Sequence, residues 1–357
     1  MPAAVSPTGR RTVSSVNRAI LAVAVLLASA ALGTAAVALT PAQLAVVINT
    51  ADPLSTALGD YYVQQRRVPA RNVSRVSFDA QRDEMPAEEF RALKARIDAQ
   101  LPAGVQAYAL TWTQPYRVEC MSITSAFAFG FDREYCASGC APTHVSAYFD
   151  SVSNAPYSDL HFRPAMSIAA GTMAEGRRLI DRGVHSDGSR PHGAAYLLRS
   201  GDRDRDVRRG GYADAAMVAA GRVRTQIVDG PALRGHDDVM FYFIGAAQVP
   251  DLGSNRFLPG AVADHLTSTG GMLSDSPQMS SLRWLEAGAT GSYGTVVEPC
   301  NFAAKFPNPA VLMAHYLAGE TLLESYWKSV AMPGQGIFIG EPLAAPYRRA
   351  TPAANGG

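Results

Sequence analysis

In the last third of the chain, side chains able to do chemistry gather beside glycines. The stretch ADHLTSTGG places His265 two residues before Thr267 and three before Ser268, with Gly270 and Gly271 behind them. A hydroxyl ending an apolar segment, with small residues that leave backbone N–H donors accessible, has the parts of a nucleophile and an oxyanion site. If the segment is a strand, His265 and Thr267 share a face, which gives the imidazole the place of a general base. Glu298 follows SYGTVV and precedes Pro299, where a carboxylate can orient or polarise, and Lys305 is its charge partner by sequence. Glu341 stands in the same way after GIFIG. The candidate set is therefore His265, Thr267, Ser268 and Glu298 for catalysis, with Gly270, Gly271, Lys305 and Glu341 for ligand binding. The competing reading makes all of them turn caps and structural ion pairs.

Several familiar signatures are missing: G-x-S-x-G, H-E-x-x-H, G-x-x-x-x-G-K-[ST], and G-x-G-x-x-G after a strand. GATGSYG has regularly spaced glycines but precedes a strand, whereas a phosphate cradle opens a helix. Asp202, Asp204 and Asp206 resemble the start of a calcium loop. Val207 and Ala213 occupy the positions where such a loop wants Gly and Glu, so GDRDRDVRR reads as a solvated, salt-bridged loop. His144, His161, His185, His192, His236 and His315 show no ligand spacing. No metal or cofactor is implied.

Such tips need a scaffold. LAVVINT reads as a buried strand, residues 53–66 as a helix, NVSRVSFD as a strand, EEFRALKARIDAQL as a helix after Pro86, and VQAYALTW as a strand. That alternation continues through AMSIAAGT, MAEGRRLIDRG, AAYLLRS and VMFYFIGA, the last apolar enough to predict the sheet centre. It then runs through QMSSLRWLEAG, SYGTVVEP, NPAVLMAHYLAG, TLLESYWKSV and GIFIGEP. The pattern predicts an α/β fold: a mainly parallel, doubly wound three-layer sheet of flavodoxin-like type. In such sheets, ligand crevices form at the C-terminal ends of strands. Residues 113–162, dense in Ser, Pro, Cys and aromatics, read as an irregular, disulfide-bearing insertion. One domain over 39–348 and a disordered tail over 349–357 complete the expectation.

Residues 1–38 have the order of a secretory signal: Arg10, Arg11 and Arg18, an apolar run from Ala19 to Leu32, then Ala36-Val37-Ala38 as an A-x-A cleavage site. The alternative is a retained segment, which would be the chain's one link to a membrane. Removing 38 residues with three arginines and no acid takes the formal charge from +1 to −2. A near-neutral chain without a basic stripe argues against nucleic acid as a partner. Export favours disulfides among Cys120, Cys136, Cys140 and Cys300. Three connectivities exist. Close spacing favours Cys136 with Cys140, leaving Cys120 with Cys300.

The chain resembles an uncharacterised family of exported bacterial proteins through TADPLSTALGDYYVQQRRVPARNV, ITSAFAFGFD, FYFIGAAQVP, NRFLPGAVADHLTSTGG, QMSSLRWLEAGATGSYGTVVEPCNFAAKFP, GETLLESYWKSV and PGQGIFIGEPL. That family occurs in genomes bearing exosortase, a sorting system for envelope proteins, and it implies no activity. More distantly, the chain resembles caspase-like peptidases of the gingipain type. Those carry His-Gly after one central strand, Cys after the next, and a closing G-D-P. Here Gly245-Ala246-Ala247, Leu266-Thr267-Ser268-Thr269-Gly270 and Glu341-Pro342 stand at those places. The resemblance implies the caspase-like fold without its thiol chemistry. The functional expectation is an exported, envelope-associated protein, periplasmic or extracellular, that binds a peptide or an envelope polymer. A Ser/Thr hydrolase or a structural accessory protein is the alternative.

Overall fold

Short apolar runs bounded by turns become strands, and the amphipathic stretches between them become helices. The computed structural model describes residue 1 and residues 38–137, 139–274 and 276–349. Residues 2–37 of the leader expected over 1–38, and the tail past residue 349, lie outside the described residues. The strands are β1 Leu44–Asn49, β2 Val73–Val76, β3 Glu84–Met85, β4 Ala107–Leu110, β5 Arg117–Val118, β6 Met121–Ser122 and β7 Ala165–Ser167. They continue as β8 Ala194–Arg199, β9 Arg224–Asp229, β10 Val239–Gly245, β11 Phe257–Leu266, β12 Gly291–Thr295 and β13 Gly336–Gly340. The helices are α1 Pro53–Arg66, α2 Ala87–Gln100, α3 Ile123–Phe129, α4 Pro156–Leu160, α5 Met173–Ser186, α6 Tyr212–Ala219, α7 Leu282–Ala287, α8 Pro309–Ala318 and α9 Leu322–Ser329.

Ten strands form one sheet in the order β2-β1-β4-β7-β13-β12-β11-β10-β8-β9, and β3, β5 and β6 form a small second one. The fold is α/β with a mostly parallel sheet, as the alternation predicts. Strands β1, β4, β7, β10 and β12 are buried along their whole length, because helices cover both faces of a parallel sheet. Local chemistry sets the helix ends. Asp52 caps α1 by accepting from the Leu54 N–H at 2.9 Å, and Pro53 opens the first turn. Within α1, Gly59 lets the helix settle onto β1: a Cβ there would lie 2.5 Å from Ile48 Cγ1.

Two expectations change. VMFYFIG (β10) is buried throughout, but it lies third from the β9 edge rather than at the centre. Apolarity reports burial on both faces, which every interior strand shares. In the insertion, ITSAFAF folds as α3, with every residue but Phe129 buried.

One strand decides where the polar tips go. β13 pairs antiparallel with β12, Gly291 opposite Gly340 and Thr295 opposite Gly336. Its single bridge to β7, Ile339 with Ser167, has the parallel pattern, yet the contacts at its two ends show that it runs against the other strands. Gly334 O, before β13, accepts from Ser122 N at 3.0 Å, on the side where β4 ends. Glu341, after β13, binds Arg66, which closes the helix returning from the end of β1. The other C-terminal ends share one edge: Ser274, past β11, donates to Asp83, past β2, at 3.1 Å.

The disulfides also correct the expected pairing, for they join Cys120 to Cys136 and Cys140 to Cys300. A turn over Arg133–Tyr135 ends at Cys136, and Tyr135 stacks on Phe129 at 4.5 Å. This packing folds Cys136 back toward the β5–β6 hairpin and its Cys120. Cys140, beyond that turn, meets the loop after β12. Paired cysteines fit an oxidising compartment. Among the described residues, no helix is long and apolar enough to cross a membrane.

Candidate functional site

Three cavities among the described residues lie one after another along the rim formed by the C-terminal ends of the strands. The first, about 340 Å³, is lined by Asp204, Arg205, Leu266, Thr267, Ser268, Glu298, Cys300 and Asn301. It brings together Thr267, Ser268 and Glu298 from the candidate set. The second, about 430 Å³, lies between Gln248, Val249 and Leu252 and the segment holding Ser274, Gln278 and Arg283. The third, about 340 Å³, spans Asp52, Thr111, Gln114 and Gly171 at the ends of β1, β4 and β7, and includes Arg283 again. The cavities follow one another: Arg283 lines two of them, and Gln278 of the second binds Thr267 of the first at 2.7 Å.

His265 is brought close but cannot serve as a base. Its Nδ1 accepts from Trp284 Nε1 at 2.9 Å, so its Nε2 carries the proton and donates to Met279 O at 2.9 Å. The ring is buried. Burial is the main cause that lowers its pKa to about 4, and Arg208 adds to it. With both nitrogens engaged, neither faces a hydroxyl. Thr267 is committed too, since its Oγ1 accepts from Arg205 Nε at 3.0 Å while donating to Gln278 Oε1. Ser268 is half-buried and lines the cavity, and its carbonyl accepts from Thr295 Oγ1 at 3.0 Å.

The remaining candidates take structural places. Gly270 and Gly271 are buried against β12: a Cβ on Gly271 would sit 2.5 Å from Gly294 O, so the turn needs glycine for packing. Glu298 is exposed, and its Oε1 accepts from Cys300 N at 2.7 Å, which shapes its own turn. Lys305 makes no ion pair with it among the described residues. Its Nζ is buried without a hydrogen-bond partner, 5.3 Å from the Phe302 ring centroid. Burial lowers its pKa, and Glu298 opposes that shift. Glu341 lies on the opposite edge, because β13 runs backwards. There it is fully buried against Arg66, which also binds Asp187.

Arg205, Asp204, Gln278 and Asn301 were not among the sequence candidates. Arg205 belongs to the acid–base loop read as solvated. Asp202 accepts from the backbone of Asp204 and Arg205, both at 3.1 Å, and pairs with Arg205 Nη1 at 3.1 Å, an Asx-type turn that aims the arginine inward. The loop is fastened by Arg208, whose Nη1 lies 2.6 Å from Asp264 Oδ1 with both side chains buried. The available signal was position: GDRDRDVRR follows AAYLLRS directly, so it must emerge at the same rim.

No protein-family model matches the chain, and no curated protein matches it. A solved structure described as "Structure of Protease" superposes over 87% of this chain and 79% of that chain, with a TM-score of 0.50 and 11% sequence identity. At that identity the likeness shows a shared fold. The class established here is thus an α/β protein that shares the fold of that structure.

Proposed function

We propose that this is an exported, envelope-associated binding protein, a non-catalytic relative of caspase-like peptidases that holds an extended peptide along its C-terminal rim. The observation that carries the reading is His265. A buried imidazole with both nitrogens hydrogen-bonded leaves the Ser268 hydroxyl without a base, while the peptide-sized rim remains. From β1 to β8 the strand order has seven steps, and at ~4.8 Å each the rim is ~34 Å long, room for about ten extended residues. Polar walls in all three cavities suit main-chain hydrogen bonding, as in other extended-peptide sites. The two disulfides support an oxidising compartment and, through it, export.

The test uses a library of fluorescein-labelled decapeptides, read by anisotropy. Saturable binding to a subset is expected, weakened at least tenfold by Arg205→Ala with Glu298→Gln. A fluorophosphonate probe should leave the protein unlabelled. Labelling of the wild type that disappears in Ser268→Ala would replace this reading with the hydrolase. No saturable binding by any peptide would leave the structural-accessory role.

A further inference from the structure

We infer that a second site, on the edge opposite the rim, binds a phosphate monoester group. A cavity of about 340 Å³ there is lined by Arg190, Pro191, His192, Arg222, Leu317, Ala318, Tyr347 and Arg349. Arg190 and His192 precede β8, Arg222 precedes β9, and Leu317 and Ala318 close α8, so the cavity sits where these elements begin or end on the N-terminal edge. Three arginines and a histidine line it, all four exposed, and no acid does. Acids near it in sequence are engaged elsewhere: Asp187 with Arg66, Glu320 with Lys328 at 2.9 Å, and Asp229 with Arg199 at 2.8 Å.

The backbone holds the basic residues in place. Arg190 has φ +47 and donates its N–H to Pro346 O at 2.9 Å, while the Gly188 N–H reaches Ala345 O at 3.0 Å. The turn that carries Arg190 is therefore fixed to the segment that carries Tyr347 and Arg349. Arg222 is set by its N–H donating to Ala219 O at 2.9 Å, just past α6.

A simpler account is that these arginines neutralise helix ends. Two helices, α6 and α8, bring their C-termini here, and each is worth about half a negative charge. Against three guanidiniums that leaves a surplus of about two positive charges. A phosphate monoester carries about −1.5 to −2 near neutral pH. The planar fork of arginine suits its oxygens in a way an ammonium does not. Leu317, Ala318, Pro191 and Tyr347 give the cavity an apolar floor, so the ester's organic part can be sheltered as well. The site is independent of the peptide rim.

The test measures ³¹P line broadening of inorganic phosphate and of glycerol 3-phosphate at low ionic strength, where exposed charges are least screened. A parallel arm measures co-sedimentation with vesicles of phosphatidic acid in phosphatidylcholine. The full chain should broaden the soluble phosphates saturably. Arg190→Ala with Arg222→Ala should weaken that at least tenfold without changing the thermal unfolding midpoint, because both side chains are exposed. Arg205→Ala, on the rim, should leave it unchanged. Vesicle binding lost in the same double variant identifies a lipid headgroup as the source, and binding confined to the soluble compounds identifies a small ester. Equal broadening by the wild type and the double variant, or none by the wild type, overturns the site.

Discussion

His265 offers the sharpest test of the non-catalytic reading, because its burial has a signature in stability against pH. Its folded pKa is lowered to about 4, while in the unfolded chain it titrates near 6.5. Between those values the unfolded state binds the proton and the folded state does not. Stability from the neutral ring is therefore intact above about pH 6.5 and is lost as pH falls toward 4. By pH 5 the loss is about 2 kcal/mol. His265→Gln removes the titration and keeps an acceptor for Trp284 and a donor for Met279, at a cost of about 1 kcal/mol for imperfect hydrogen bonds. Urea unfolding of the two proteins should then show the wild type ahead at pH 7 and level or behind at pH 5. Other titrating groups cancel in the difference. A difference that stays constant from pH 7 to 5 would mean that the imidazole is accessible to protons in the fold, and its availability as a base would be restored.

Other consequences are distributed over the molecule. Cys140 and Cys300 lie 160 residues apart, against 16 for Cys120 and Cys136. On the chain-entropy account, replacing the first pair with serines should cost about 5 kcal/mol and the second about 3, read by chemical denaturation. Equal costs would show that loop length is not what matters here. Arg66→Ala should destabilise by about 3–5 kcal/mol, because it strands the buried Glu341 carboxylate, while leaving decapeptide binding at the rim intact. Loss of binding in folded Arg66→Ala protein would place Glu341 in the site after all. Asp264→Asn should likewise cost several kcal/mol by stranding Arg208. It should also weaken peptide binding, since Arg208 fastens the loop that carries Arg205; binding that survives would detach that loop from the site.

Much of the scaffold was legible because burial leaves a periodic trace. The helix expected over residues 53–66 spans Pro53–Arg66, and the one after Pro86 spans Ala87–Gln100. Both carry the punctuation that backbone chemistry requires, a proline at or just before the first turn. β9 left no such trace: RTQIVD is an edge strand, half-exposed along its length, so neither alternation nor an apolar run marks it. α3 was hidden by composition. Its Ser, Thr and Ala resemble a loop, but they are buried, and Ser122 and Ser125 donate to Gly336 O and Pro333 O at 2.5 and 2.7 Å. Hydroxyls satisfied by distant carbonyls cannot be recognised from neighbouring residues.

The candidate site divided for a reason that no local pattern carries. A glutamate after GIFIG and a glutamate after SYGTVV look alike in sequence, since each ends a short buried strand beside a proline. Strand direction separates them. β13 returns antiparallel to β12, so the end of one lies beside the beginning of the other, and their carboxylates go to opposite edges. On the first edge Glu298 meets solvent and a polar cavity. On the second, Glu341 is buried and must be neutralised, which Arg66 does from the last turn of α1. The same reversal accounts for the glycines. Gly291, Gly294, Gly336 and Gly340 lie in the two paired strands, and side chains there would strike Leu322, the backbone of Gly270, Tyr293 and the backbone of Thr290. The glycine density that marked this region as a binding site is what lets a reversed strand enter a parallel sheet under closely packed helices, and the ligand-facing residues lie in the loops to one side of it.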